Sequence, residues 1–256
     1  MSDVTFTGER LHAGSQLFGL DLARHEVAYE IARAHLNGGW VLDLGCGSGY
    51  GTAALAGAGA RVVGLDRVSP DAASRPAGGH FVTADLAGVP LTRRAFGLVV
   101  SFQVIEHLED PGPYLAAIAE LLQPDGVALI TTPNRLTSDG VNPYHVHEYE
   151  ADELAERLRE RFASVEMRGV GTSTRVRRIL EQRSARIRSI MRLDPLRLRE
   201  RVPRPLLEWL FARFAVLVRR RAATPGPAEA ITWRDFPVGP SDDACLDLLA
   251  ICRQPR

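Results

Sequence analysis

Val41-Leu42-Asp43-Leu44-Gly45-Cys46-Gly47-Ser48-Gly49-Tyr50-Gly51 decides the fold. An apolar run ends in a cluster of alternating glycines, and a short helix-compatible stretch follows, so a buried strand turns sharply into a helix. Glycine there lets the backbone turn and lets a ligand approach with no Cβ in the way. The loop misses the G-x-G-x-x-G of a dinucleotide fold, since the third glycine position falls on Tyr50 or Thr52. It also lacks the G-K-[ST] ending of a triphosphate loop. What remains is D-x-G-x-G-x-G. An acid placed two residues before the first glycine opposes a pyrophosphate but suits a cationic or zwitterionic ligand.

Outward from this loop, strands and helices alternate. Residues 40–46, 61–66, 80–86, 96–104 and 126–132 are short, rich in β-branched residues and almost continuously apolar, as parallel strands buried on both faces should be. Helices are expected over 21–36, 50–58, 69–74, 111–122 and 151–161, with Pro124-Asp125-Gly126 as a turn after the fourth. Two later strands, 163–171 and 244–253, complete the pattern. The predicted class is α/β: a doubly wound, mostly parallel sheet with a helical insertion between the last two strands. Residues 1–20 form an N-terminal covering segment, 21–171 and 243–256 the core, and 172–242 the insertion.

Asp66 ends the second strand, about 20 residues beyond the first glycine, where a carboxylate can accept ribose hydroxyls. Asp85 ends the third, within reach of an adenine amino group. Taken singly, each acid could be a loop cap. Three acids at successive strand ends around a glycine turn describe a nucleoside site without a phosphate.

In order and spacing, VLDLGCGSGYG, GLD, ADL, FGLVVSFQVIEHLEDP and LLQPDGVALITTPN resemble the class I S-adenosylmethionine-dependent methyltransferases. The resemblance implies a Rossmann-like sheet of seven strands with the last antiparallel, and S-adenosylmethionine as cofactor. It implies that Asp43, Gly45, Cys46, Gly47 and Gly49 line the methionine, Asp66 the ribose, and Asp85 with Leu86 the adenine. Gln103 would border the methyl group. A narrower likeness, carried by TGER, ARHEVAY, TTPNRLT, NPYHVHEYEADEL and ITWRDFPVGPSDDACLDLLAI, is to actinobacterial sugar-hydroxyl methyltransferases. The methylglucose lipopolysaccharide and mycofactocin oligosaccharide types are examples of these.

Methyl transfer from a sulfonium asks mainly for in-line positioning and removal of one proton. Two clusters at strand ends can supply the base: Gln103-x-x-Glu106-His107 and Asn142-Pro-Tyr-His145-Val-His147-Glu148. His145 and His147 alternate, so in extended backbone one of them faces the site. His145 is the expected general base, with Glu106 and His107 as support. Glu106, His107 and His145 also resemble the magnesium site of RNA-terminal and ubiquinone-pathway O-methyltransferases, which makes Mg²⁺ a candidate second cofactor. Gln103 stands where that site has its first glutamate. The expected reaction is O-methylation of a sugar, oligosaccharide or glycolipid. A phenol or quinone precursor is the alternative acceptor, and a cofactor-binding partner subunit the non-enzyme alternative.

The charge balance is zero, with 31 acids against 31 basic residues, all of them arginine. Between Thr172 and Ala223, however, 15 arginines face only four acids. Apolar stripes at Val176/Ile179/Leu180/Ile187 and at Leu206/Leu210/Phe214/Leu217 make this a helical pair, expected to pack over the sheet edge with a solvated arginine face. The alternatives are a wall for an anionic acceptor and a peripheral membrane contact through residues 172–223. Aromatic interleaving is confined to Trp209, Phe211 and Phe214, so no nucleic-acid partner is expected. Three cysteines without a C-x-x-C pair, no apolar leader and no run of about 20 apolar residues point to a cytoplasmic protein.

Overall fold

The structure is a computed structural model that describes residues 19–191, except 69, 71–74, 76–77, 87 and 141, together with 231–256. Of the expected covering segment 1–20, only residues 19–20 are described, and they begin the first helix; most of the expected short helix at 69–74 and the whole stripe over 206–218 lie outside the described residues.

The described elements are α1 (Gly19–Arg33), β1 (Trp40–Leu44), α2 (Tyr50–Gly57), β2 (Arg61–Asp66), β3 (Gly79–Thr83), β4 (Phe96–Phe102), α3 (Gly112–Leu121), β5 (Leu122–Pro133), α4 (Ala151–Arg159), β6 (Phe162–Val170), α5 (Thr174–Met191), β7 (Val238–Pro240) and β8 (Asp247–Pro255). The sheet runs β3-β2-β1-β4-β5-β8-β6-β7. Pairs from β3 through β5 are parallel, whereas β8 is antiparallel to both β5 and β6. The order reverses between β1 and β4, which opens a crevice at their carboxyl ends.

Period-two alternation sends side chains to two buried layers. Leu42, Leu44, Val99, Ala128, Ile130, Leu248 and Ala250 pack with Tyr114, Leu115 and Ile118 of α3 and Leu154 and Leu158 of α4. Val41, Leu98, Val100, Phe102, Leu129 and Ile251 pack against Ala28, Tyr29 and Ala32 of α1 and Leu55 of α2. The two faces thus deliver different helices, and different polar groups, to the same end of the sheet.

Two expectations need correction. The sheet has eight strands, because Val238–Pro240, expected inside the insertion, pairs antiparallel with β6. Phe236 just before it is 2% exposed and packs with Ala23, Val27, Val170 and Val176, so apolar burial draws this stretch back to the core. The predicted turn Pro124-Asp125-Gly126 lies inside β5 instead. The pairing of β4 with β5 jumps from Phe96↔Leu122 to Leu98↔Val127, so the turn residues bulge out of an unbroken strand.

Candidate active site

The glycine loop crosses the carboxyl end of β1. Gly45, Gly47 and Gly49 have φ of 85°, 56° and 83°, in the left-handed region that disfavours side chains. A Cβ on Gly45 would lie 2.5 Å from Val104 Cγ2, so the turn after β4 is pressed against the loop. Backbone N–H groups of Gly45 and Cys46 both donate to Leu65 O, at 2.7 and 3.1 Å. Cys46 is buried. Around Gly47 a Cβ would meet nothing within 4 Å, so open space remains over the loop. Asp66 is half-buried; its Oδ2 accepts from Gly47 N at 2.9 Å and its Oδ1 from Val68 N at 3.0 Å. Those bonds fix the carboxylate at the end of β2, where ribose hydroxyls would meet it. Asp85 is exposed just past β3, and Leu86 beside it packs into the α3 layer at 9% exposure.

Asp43 sits apart from these groups. It is 1% exposed and lies on the same strand face as Val41. Thr52 Oγ1 donates to its Oδ2 at 2.7 Å, and the Tyr29 hydroxyl lies 3.3 Å from Oδ1. In this structure Asp43 braces the start of α2 from beneath. Burial pushes its carboxyl up to about 6, with the charge on Asp66 adding to the shift and the Thr52 and Tyr29 hydrogen bonds opposing it. A folded-state value above the unfolded one means that the folded protein holds this proton more tightly. The stabilising contribution is therefore complete below about pH 4 and lost as pH rises through about 6. Relative to Asp43→Asn, which still accepts from Thr52, the parent should lose stability between those limits. Denaturant midpoints at pH 4.5, 5.5 and 7 check this, and a gap independent of pH would refute it.

A second polar group forms on the α3 face of the sheet. Glu106, in the 3-10 turn Ile105–His107, is fully buried. Its Oε2 accepts from Thr132 Oγ1 at 3.0 Å, while Oε1 is buried without a hydrogen-bond partner. Its main-chain carbonyl accepts from Val146 N and His147 N at 2.8 and 3.1 Å, which pulls the β5–α4 loop over the turn. His107 and His145 consequently meet, with ring centroids 5.1 Å apart. One ligand atom from each of Glu106, His107 and His145 lies within 4.8 Å of the other two. His147 turns away to Glu153 at 2.6 Å.

The ring nitrogens are assigned by their partners. His107 Nδ1 lies 3.0 Å from Tyr144 O, and His145 Nδ1 lies 2.6 Å from Glu148 Oε1. Carbonyl and carboxylate oxygens only accept, so each Nδ1 carries its hydrogen and each neutral ring keeps its lone pair on Nε2. Ser138 Oγ also donates to Glu148 Oε1, at 2.8 Å. Burial opposes the charge on Glu148, but the His145 and Ser138 hydrogen bonds outweigh it and hold the carboxyl below its ordinary value. Burial drives Glu106 the other way, up to about 7, despite the neighbouring imidazole of His107.

A third group lies on the α1 face. Arg24 Nε donates to Asp247 Oδ2 at 2.5 Å, Nη2 bonds Oδ1 of the same carboxylate, and Nη2 also donates to Leu246 O at 3.0 Å. Gln103 Nε2 donates to Asp247 Oδ1 at 3.1 Å. In sequence, Glu148 has a place in a candidate cluster but no role, and neither Arg24, Asp247 nor Thr132 is marked as a site residue. The available signal for Asp247 was an acid placed directly before the apolar run Leu248–Cys252.

A family model described as a methyltransferase domain matches residues 20–188. A probable S-adenosylmethionine-dependent methyltransferase of Mycolicibacterium smegmatis is 39% identical over 165 residues, 61% of this chain and 64% of that one. Another, of Mycobacterium tuberculosis, is 34% identical over 183 residues, 68% of this chain and 67% of that one. The chain thus spans about two thirds of the length of these relatives. Among solved structures, a Thermotoga maritima S-adenosylmethionine-dependent methyltransferase, described as a possible histamine N-methyltransferase, superposes with a TM-score of 0.60 at 12% identity, covering 93% of both chains. At that identity the likeness speaks for the fold alone. The chain belongs to the methyltransferase domain family, with the α/β Rossmann-like fold of class I and S-adenosylmethionine as its cofactor.

Proposed function

We propose that this protein is an O-methyltransferase that moves the methyl group of S-adenosylmethionine to a hydroxyl of a sugar, oligosaccharide or glycolipid. The observation that carries the reading is the His145–Glu148 pair, in which the carboxylate holds Nδ1 at 2.6 Å and leaves the lone pair of the neutral ring on Nε2. The acceptor oxygen attacks the methyl carbon in line with the carbon–sulfur bond. The C–O bond forms, the C–S bond breaks, the hydroxyl proton passes to His145 Nε2, and neutral S-adenosylhomocysteine leaves. Glu148 then faces an imidazolium, an electrostatically favourable arrangement for the developing charge. Asp66 would bind the ribose, the 85–86 loop the adenine, and the loop from Gly45 to Gly49 the methionine end.

The orphaned Glu106 Oε1 favours a second reading of the same cluster, because a buried carboxylate oxygen without a donor suits a cation. Glu106, His107 and His145 would hold the ion, which would supply Lewis-acid polarisation of an acceptor oxygen. Two imidazoles and one carboxylate fit Zn²⁺ or Mn²⁺ better than Mg²⁺, which prefers oxygen ligands.

An acceptor panel with methyl-labelled S-adenosylmethionine tests the proposal. Label should appear as a methyl ether on glucosides or oligoglucosides, and turnover should survive chelation by EDTA. Robust methylation of catechols with none of glucosides would reject the sugar acceptor. Loss of turnover on chelation, restored by Zn²⁺ or Mn²⁺, would make His145 a ligand and remove it as the base.

A further inference from the structure

Gln103 is a non-glycine residue at φ 57°, a conformation that costs free energy and persists where surrounding contacts enforce it. Here they do. Its backbone N–H donates to Thr131 O at 3.0 Å, and its side-chain nitrogen bonds both Asp247 Oδ1, at 3.1 Å, and Thr131 Oγ1, at 3.4 Å. Asp247 is itself gripped by Arg24 through both carboxylate oxygens, with side-chain exposures of 5% for the acid and 25% for the arginine.

That grip settles which way the amide lies. A carboxylate paired to a guanidinium accepts and cannot donate, so only the NH₂ end of Gln103 can face it. Both bonds of the nitrogen run to residues of β5 and β8, which leaves Oε1 on the other branch of the amide, pointing away from those two partners. The glycine loop stands on that side, and Val104, the next residue, already touches Gly45.

We propose that Arg24 and Asp247 are positioning residues for methyl transfer, acting through Gln103 by fixing its amide so that Oε1 faces the sulfonium methyl of bound S-adenosylmethionine. The inference rests on the reading that Gln103 borders the methyl group and is independent of the acceptor. A sulfonium is cationic and its methyl hydrogens are polarised, whereas S-adenosylhomocysteine has neither property. An oxygen held in this place therefore favours the first over the second. An amide released from Asp247 is free to turn its NH₂ towards the cation and forfeit the preference. Arg24 also ties α1 to the start of β8, so the device couples a covering helix to the methyl end of the site.

Calorimetric titration of the full-length protein with S-adenosylmethionine and, separately, with S-adenosylhomocysteine reads this directly. Breaking one partner of a buried pair endangers folding, so the pair is removed together as Arg24→Met/Asp247→Leu, a replacement that buried ion pairs often tolerate. The pair variant should lower the preference for S-adenosylmethionine over S-adenosylhomocysteine roughly 3- to 10-fold, the scale of one hydrogen bond, with S-adenosylhomocysteine affinity nearly unchanged. Gln103→Met should do the same, and Gln103→Met added to the pair variant should cost nothing more. Equal weakening of both ligands, or an unchanged ratio in the pair variant, would overturn the proposal and leave the pair a structural strut. An unchanged ratio in Gln103→Met would overturn the placement of Gln103 instead. Methylation of phenols rather than sugars would reject the proposed acceptor and leave this result standing.

Discussion

His145→Ala is expected to lower turnover with the hydroxyl acceptor by about 10²- to 10⁴-fold, the usual contribution of a positioned general base. S-adenosylmethionine affinity should stay near that of the parent, because His145 stands over the ends of β4 and β5 and the cofactor loop follows β1. The contrast between kcat and cofactor binding is what a proton acceptor predicts. Glu148→Gln should cost less, since the ring remains and only its anchor changes from a carboxylate to an amide that still accepts from Nδ1. His147→Ala, whose imidazole points to Glu153 on the exposed side, should retain parental turnover. Parental turnover in His145→Ala would remove the base from the mechanism.

Gly51→Ala should be among the most destabilising single-methyl substitutions in the core, by about 3 kcal/mol or more, as overpacking of a closely filled site does. An added Cβ would lie 1.8 Å from Tyr29 Cζ and 2.3 Å from the hydroxyl oxygen. The ring has little room to swing aside. It is 6% exposed and packs edge-on against Tyr50 and Phe102, with centroids at 5.5 and 4.9 Å. Its hydroxyl also helps hold Asp43, so the displacement spreads to the strut beneath the glycine loop. Thermal unfolding with and without cofactor measures the effect. Pairing Gly51→Ala with Tyr29→Ala, which removes the obstructing ring, should cost clearly less than the sum of the two single changes. Additive costs would show that the contact is not the cause.

Much of this architecture is legible along the chain because β1, β2, β4 and β5 are short, largely apolar runs, and β1, β4 and β5 each lead into a helix. The three glycines and Asp66 could be placed for the same reason: strand ends and sharp turns leave local marks. Val238–Pro240 left none, since three residues are too few for periodicity and their pairing with β6 depends on distant packing around Phe236. Asp43 is marked in sequence by its place before the glycine turn, and its alternation with Val41 puts it on the buried α1 face, where Thr52 and Tyr29 hold it. The cluster of Glu106, His107 and His145 is only half visible in sequence. The spacing suggests it, but its closure depends on the Glu106 carbonyl bonding Val146 and His147, in a loop far along the chain. Arg24 and Asp247 stand near opposite ends of the chain, 223 positions apart, and no local pattern could join them.

Everything turns on a nucleoside sulfonium resting over the carboxyl ends of β1, β2 and β4. Isothermal titration of the purified protein with S-adenosylmethionine, beside Asp66→Ala and beside a nicotinamide dinucleotide as competitor ligand, tests that most directly. One molecule should bind per chain, Asp66→Ala should bind at least about 10-fold more weakly through loss of charge-assisted bonds to the ribose, and the dinucleotide should give no heat. Silence with S-adenosylmethionine together with binding of the dinucleotide would contradict the account at its root.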